Sequence, residues 1–88
     1  MKIIVKKPTE KELEELGVAH WKPWSCEVST FDWTYAEKEI AYILNGRVRV
    51  RTPRSEVRFG VGDLVTFPKG LSCTWIVEKP VRKVYRFE

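Results

Sequence analysis

The chain has 88 residues, with 16 Lys plus Arg against 12 Asp plus Glu (net charge +4), and is 43% hydrophobic and 32% charged. That length bounds residues 1–88 to a single small domain, whose limited core would gain from a partner copy. No apolar run is long enough to span a bilayer, the opening Met1-Lys2-Ile3-Ile4-Val5 is too short for a signal peptide's apolar region, and Cys26 and Cys73 lack metal-type spacing, so free thiols, a cytoplasmic setting and no membrane partner are expected.

In chain order, Ile3 to Val5 reads as a first short strand. Thr9-Glu10-Lys11-Glu12 is a capping box, in which the Thr9 hydroxyl accepts from the backbone near Glu12 and the Glu12 carboxylate reaches back. Leu13 and Leu16 give a short apolar stripe, and Gly17 can end the helix, so a helix is predicted over 9–16. Everything beyond it reads as strand and turn. Cys26, Val28 and Thr30 alternate with Glu27 and Ser29, as a half-buried strand does. Ile40 to Leu44 is apolar on both faces, so neither face can be freely solvated. Asn45-Gly46 is a strong hairpin signal. Arg47, Arg49 and Arg51 then alternate with Val48 and Val50, placing valines inward and arginines outward. Turns at Thr52-Pro53-Arg54-Ser55 and Gly60-Val61-Gly62-Asp63 separate further strands at Val57 to Phe59, Leu64 to Phe67, Thr74 to Glu78 and Val81 to Phe87. Many short strands at this spacing predict an all-β sandwich or barrel with one short N-terminal helix.

Two blocks stand out. Gly62-Asp63-Leu64-Val65-Thr66-Phe67-Pro68-Lys69-Gly70, with Cys73 and Trp75 after it, joins a glycine turn, an apolar strand and a Pro-x-Gly break. Upstream, Trp33-Thr34-Tyr35 leads through Glu39 to Asn45-Gly46. Together they resemble the two motifs of the cupin superfamily, G-x5-H-x-H-x(3,4)-E-x6-G and G-x5-P-x-G-x2-H-x3-N. The resemblance covers roughly residues 25–87 and implies a small jelly-roll barrel. Aligned on Glu39 and Gly46, and on Gly62, Pro68 and Gly70, the family's three histidine positions carry Trp33, Tyr35 and Cys73. The Asp32-Trp33-Thr34-Tyr35 block and the ending Pro80-Val81-Arg82-Lys83 are similar to the cupin domain of ureidoglycine aminohydrolase and to ethanolamine-utilisation cupins. The former implies a manganese-type ion at positions 33, 35, 39 and 73, and release of ammonia from a ureide.

Residues two apart on a strand share a face, so Trp33 and Tyr35 are expected to point into the barrel, where Glu39 and Cys73 would meet them. That makes an aromatic-lined pocket with one carboxylate and one thiol, suited to a small polar metabolite. Glu39 and Cys73 are the metal candidates, with a deprotonated Tyr35 a remote third; Trp33 is not one, because an indole is solely a donor. A metal ion is not expected; the aromatics fill its place. A carboxylate in an apolar barrel is poorly solvated, which suits Glu39 to acid–base chemistry; a structural carboxylate bonded to Tyr35 or to backbone is the alternative. Tyr35 and Cys73 complete the catalytic candidates, although a cysteine nucleophile needs a base or a cation beside it, and none is evident. Trp33, Tyr35, Phe67 and Trp75 are the candidate ligand-binding residues, while Trp21 and Trp24 read as core or interface. Arg47, Arg49 and Arg51, with Arg58, form a basic stripe but lack interleaved aromatics, so a solvated face and no nucleic-acid partner are expected. The two-faced strand at Ile40 to Leu44 points to a homodimer. Three functions remain open: a pocket for a small polar metabolite with Glu39 as acid or base, a metal-dependent aminohydrolase-like enzyme, and a non-catalytic structural or partner-binding cupin.

Overall fold

A computed structural model describes every residue, Met1–Glu88. After strand β1 (Ile4–Lys6), Thr9 caps helix α1 (Glu10–Leu16): its hydroxyl accepts from the Glu12 N–H at 3.1 Å, and the Glu12 carboxylate accepts from the Thr9 N–H at 3.2 Å. Gly17 ends the helix in the left-handed region, φ 74°. A single 3-10 turn, Val18–His20, leads to β2 (Lys22–Cys26), β3 (Ser29–Thr34), β4 (Glu39–Arg51), β5 (Glu56–Gly60), β6 (Leu64–Phe67) and β7 (Ser72–Phe87). The expected strand through Cys26 to Thr30 is broken at Glu27 and Val28, where the Ser29 hydroxyl donates to the Glu27 carbonyl and turns the chain. The two strands expected over 74–78 and 81–87 are one, because Pro80 sits where β7 bends rather than where it ends.

β4 and β7 are the spine of the molecule. They run antiparallel over their whole length, Glu39 opposite Phe87 and Arg51 opposite Thr74. β6 and β5 extend β4 on its free side, while β2 and β3 extend β7, and β1 adds to β6. The result is the all-β small jelly roll, with its core between the two halves of the folded-over sheet.

Asn45-Gly46 is not a hairpin. β4 passes straight through it, and register shifts run from Ile43 to Val48. A Cβ on Gly46 would sit 2.4 Å from the Pro80 carbonyl oxygen and 2.7 Å from the Val81 Cα, and Gly46 has φ 99°. Only glycine allows the two long strands to cross so closely while bending. The bulge also resets the alternation. Glu39, Ala41 and Ile43 are buried before it, Val48 and Val50 after it. A strand that turns a corner this way serves both halves of the barrel.

The core holds Ile43, Val48, Val50, Val65, Phe67, Trp75, Val77 and Val81, all nearly sealed from solvent. Arg47, Arg49, Arg51 and Arg58 lie along β4 and β5 but are not a free cationic stripe. Glu56 and Glu78 pair with all four, at 3.0 to 3.6 Å.

A candidate functional site at the barrel mouth

A cavity of about 240 Å³ opens at the end of the barrel where β4 begins and β7 ends. Its walls are aromatic faces: Trp24 from β2, Phe31 from β3, and Trp75 and Tyr85 from β7. Trp24 packs edge-on to Trp75 at 5.8 Å, and Phe31 stacks on Trp75 at 6.0 Å, so the rings brace one another. Trp33 and Phe87 form the rim and stay 52% and 55% exposed.

The inner end of this apolar space carries an ion pair. Lys83 Nζ donates to Glu39 Oε2 at 2.6 Å, and each residue is only 5% exposed. Register explains the pairing. On the inner face Glu39 lies opposite Phe87, Ala41 opposite Tyr85, and Ile43 opposite Lys83. The rung between the two charges carries only a methyl group from β4, which leaves room for the lysine stem. The ammonium also lies 4.9 Å from the ring centroids of Trp24 and Trp75 and 5.4 Å from Tyr85, so π faces replace part of its lost hydration. Burial still pulls Lys83 below the usual lysine range, and the adjacent Glu39 carboxylate opposes that pull.

Tyr35 sits beside the pair, 2% exposed, stacked at 4.7 Å on Phe67. Its hydroxyl accepts from Trp75 Nε1 at 3.1 Å. Burial first, and the charge of Glu39 second, push the phenol far above its ordinary value, so it stays protonated. No protein acceptor takes the phenol's own hydrogen, which leaves Tyr35 a donor into the cavity.

The placement of the expected residues is therefore mixed. Tyr35, Glu39 and Trp75 share the cavity wall, and Trp33 stands at the rim rather than inside. Phe67 lies beneath the wall, fully buried against Tyr35 and Trp75, and does not face the cavity. Cys73 lines a separate shallow depression beside Asp32 and Arg51. Its thiol donates to the Trp33 carbonyl at 3.7 Å and is pushed up to about 11 by burial and then by the Asp32 charge. Lys83 was not singled out from the sequence, where it is one lysine in a charged stretch. Its inward parity with Val81 and Tyr85 on β7 was the available signal. Trp24, read from the sequence as core or interface, packs against the core and also walls the cavity.

These residues do not fit a metal ion. No three His, Cys, Asp or Glu side chains lie close enough to hold one. Trp33 cannot ligate, Cys73 does not line the cavity, and Glu39 already binds a cation, the Lys83 ammonium.

No helix is long and apolar enough to cross a membrane. No curated protein matches the sequence. Among solved structures, the chain is similar to a DUF861 family protein from Thermotoga maritima, at 48% identity over 99% of this chain and 100% of that one, with a TM-score of 0.97. It is also similar to the Clostridium difficile EutQ protein, at 25% identity and TM-score 0.67, covering 94% of this chain and 64% of that one. The ethanolamine utilization protein Q of Salmonella typhimurium shares the fold at 20% identity and TM-score 0.63, over 97% of this chain and 68% of that one. The EutQ-like cupin domain matches residues 13–85, nearly the whole barrel with both strands that carry the buried pair. On the fold, the motif positions and this match together, the chain belongs to the family of EutQ-like cupin domains.

Proposed function

We propose that the barrel mouth binds a small polar metabolite between aromatic faces, and that Glu39, working with Lys83, exchanges protons with it. The buried Lys83–Glu39 pair in an otherwise aromatic cavity carries this reading. Two charges at that depth are costly to desolvate, and a hydrophobic pair of similar volume would hold a barrel at least as well. The cavity offers a bound molecule an acceptor in Glu39 and donors in Lys83 and Tyr35, with flat walls above them. At about 240 Å³ it is smaller than the roughly 300–1,000 Å³ of drug-sized pockets, which suits a molecule smaller than a drug, up to the size of a single ring. Cys73 is left out of this reading because it does not line the cavity and its thiol is protonated at neutral pH.

The ureidoglycine aminohydrolase activity implied by the motif resemblance needs an ion at positions 33, 35, 39 and 73, and the donor set there does not favour it. A second copy of the chain is the partner that suits the outer face of β4, where Leu44 is 37% exposed and Ile40 and Tyr42 are half-buried.

A thermal-shift and tryptophan-fluorescence screen of small polar metabolites, with and without manganese, iron and zinc, tests the reading. A ligand at a hundred times its Kd should stabilise the fold by about 2.7 kcal/mol. The shift should vanish in the Glu39→Leu/Lys83→Met double variant and be independent of added metal. A stoichiometric transition metal that ligand binding requires would instead support the aminohydrolase-like enzyme. A Glu39→Gln variant that binds every hit like wild type would support a non-catalytic cupin.

A further inference from the structure

Lys83 is the only amine on the cavity wall, it faces the open space, and its Nζ donates to a carboxylate oxygen 2.6 Å away. A lysine desolvated in an apolar pocket is the setting in which the side chain serves as a nucleophile toward carbonyl carbon. We infer that Lys83 captures a small neutral aldehyde or ketone as a covalent imine, with Glu39 and Tyr35 moving the protons. The inference rests on the cavity being a ligand site and names the class of ligand.

The steps balance without any further reactant. The Lys83 ammonium passes one proton to the Glu39 carboxylate along their hydrogen bond. The freed nitrogen lone pair attacks the carbonyl carbon, a C–N bond forms, and the C=O π pair moves to oxygen. A proton passes from nitrogen to that oxygen, with the Tyr35 O–H donating to it on the way, to give a carbinolamine. Glu39 then returns its proton to the hydroxyl, which leaves as water while the nitrogen lone pair closes the C=N bond. Lys83 ends as a protonated imine, and Glu39 is again a carboxylate beside a cation. One water is released, and nothing is oxidised or reduced.

The charge balance of the cavity selects the ligand. Lys83 and Glu39 are the only charged side chains on its wall, and they neutralise one another. A 2-oxo acid would bring a second carboxylate with no cation to meet it, at the cost of burying an unpaired charge. An uncharged carbonyl compound with an apolar or flat body pairs its oxygen with Tyr35 and its body with Trp24, Phe31 and Trp75.

The test is reductive trapping at pH 7 with sodium cyanoborohydride, using butanal, benzaldehyde and pyruvate as probes, followed by peptide mapping of every lysine. Lys83 of the folded protein should be labelled by the two neutral aldehydes at least about tenfold faster than the exposed lysines, as an activated amine is. Pyruvate should label it least. Glu39→Gln should slow that labelling about a hundredfold or more, the typical contribution of a positioned acid or base. The wild-type map decides the matter even if the variant does not fold. Quenching of tryptophan fluorescence by benzaldehyde with Lys83 left unlabelled overturns the imine and leaves the ligand cavity standing. Absence of both quenching and label overturns the two together.

Discussion

Glu39 and Lys83 pose the sharpest residue-scale question, because each is tolerable inside the barrel only on account of the other. Removing one partner of a buried pair leaves an uncompensated charge, which typically costs about 3–5 kcal/mol. Glu39→Gln and Lys83→Met should each lower unfolding stability by about that amount, measured by chemical denaturation at neutral pH. The lysine loss falls toward the lower end to the extent that Glu39 finds the Tyr35 hydroxyl. Glu39→Leu with Lys83→Met together should return stability to within about 1 kcal/mol of wild type, since apolar replacements of such pairs are often neutral. A double variant as unstable as the two single losses summed would show that the charges are not coupled. Tyr35 belongs to the same small network, holding Trp75 by one hydrogen bond and Phe67 by stacking, so the cavity floor and the core share a wall.

Among the elements, β4 and β7 decide the shape of the site. Each bends at one place, and the bends face each other at Gly46 and Pro80. Without that crossing, β4 would keep one alternation throughout, and residues buried on one side of Gly46 would be matched by exposed ones on the other. Gly46→Ala would place a methyl group inside the Pro80 and Val81 backbone and force a non-glycine residue to φ near 99°. Backbone strain and overpacking together should cost about 2–4 kcal/mol in urea denaturation. A loss below about 1 kcal/mol, within the range of ordinary surface substitutions, would mean that the strands separate there at little cost. α1 plays no part in the cavity, and its links to the barrel are peripheral. Lys6 pairs with Glu12 at 2.5 Å, and Arg86 donates to the Leu16 carbonyl at 3.4 Å.

For the whole molecule, the apolar faces are unevenly covered. The inner face of the sheet closes on itself, and its core is sealed. On the outer face, Ile4 of β1, 53% exposed, pairs through Thr66 of β6 with Ile40 of β4, and Leu44 lies further along. A chain of this length buries only about 60–65% of its unfolded surface, so covering that face with a second copy would add to stability. Light scattering at micromolar concentration should report twice the chain mass. Leu44→Glu should give a folded monomer. A monomeric wild type would leave the face simply solvated.

Much of this was legible in the sequence for local reasons. The capping box at Thr9 and Glu12 involves neighbours on one turn. The valine–arginine alternation of Arg47 to Arg51 states its own two faces. The glycine and proline spacing around Gly62, Pro68 and Gly70, with the block from Trp33 to Gly46, resembles a known barrel; the alignment that put Tyr35 and Glu39 at one spot also put Trp33 and Cys73 there, and these two stand at the rim and off the cavity wall, respectively. Two things needed the tertiary structure. Asn45-Gly46 has the chemistry of a hairpin, and only the passage of β7 beside it makes it a bulge instead. Lys83 reads as one more solvated cation until a carboxylate 44 residues away meets it. Side-chain parity along a strand is set by the pleat and can be read from a few residues. Which rungs of distant strands come face to face is set by pairing and bulges elsewhere in the chain, and that is where the ion pair, the cavity and its chemistry come from.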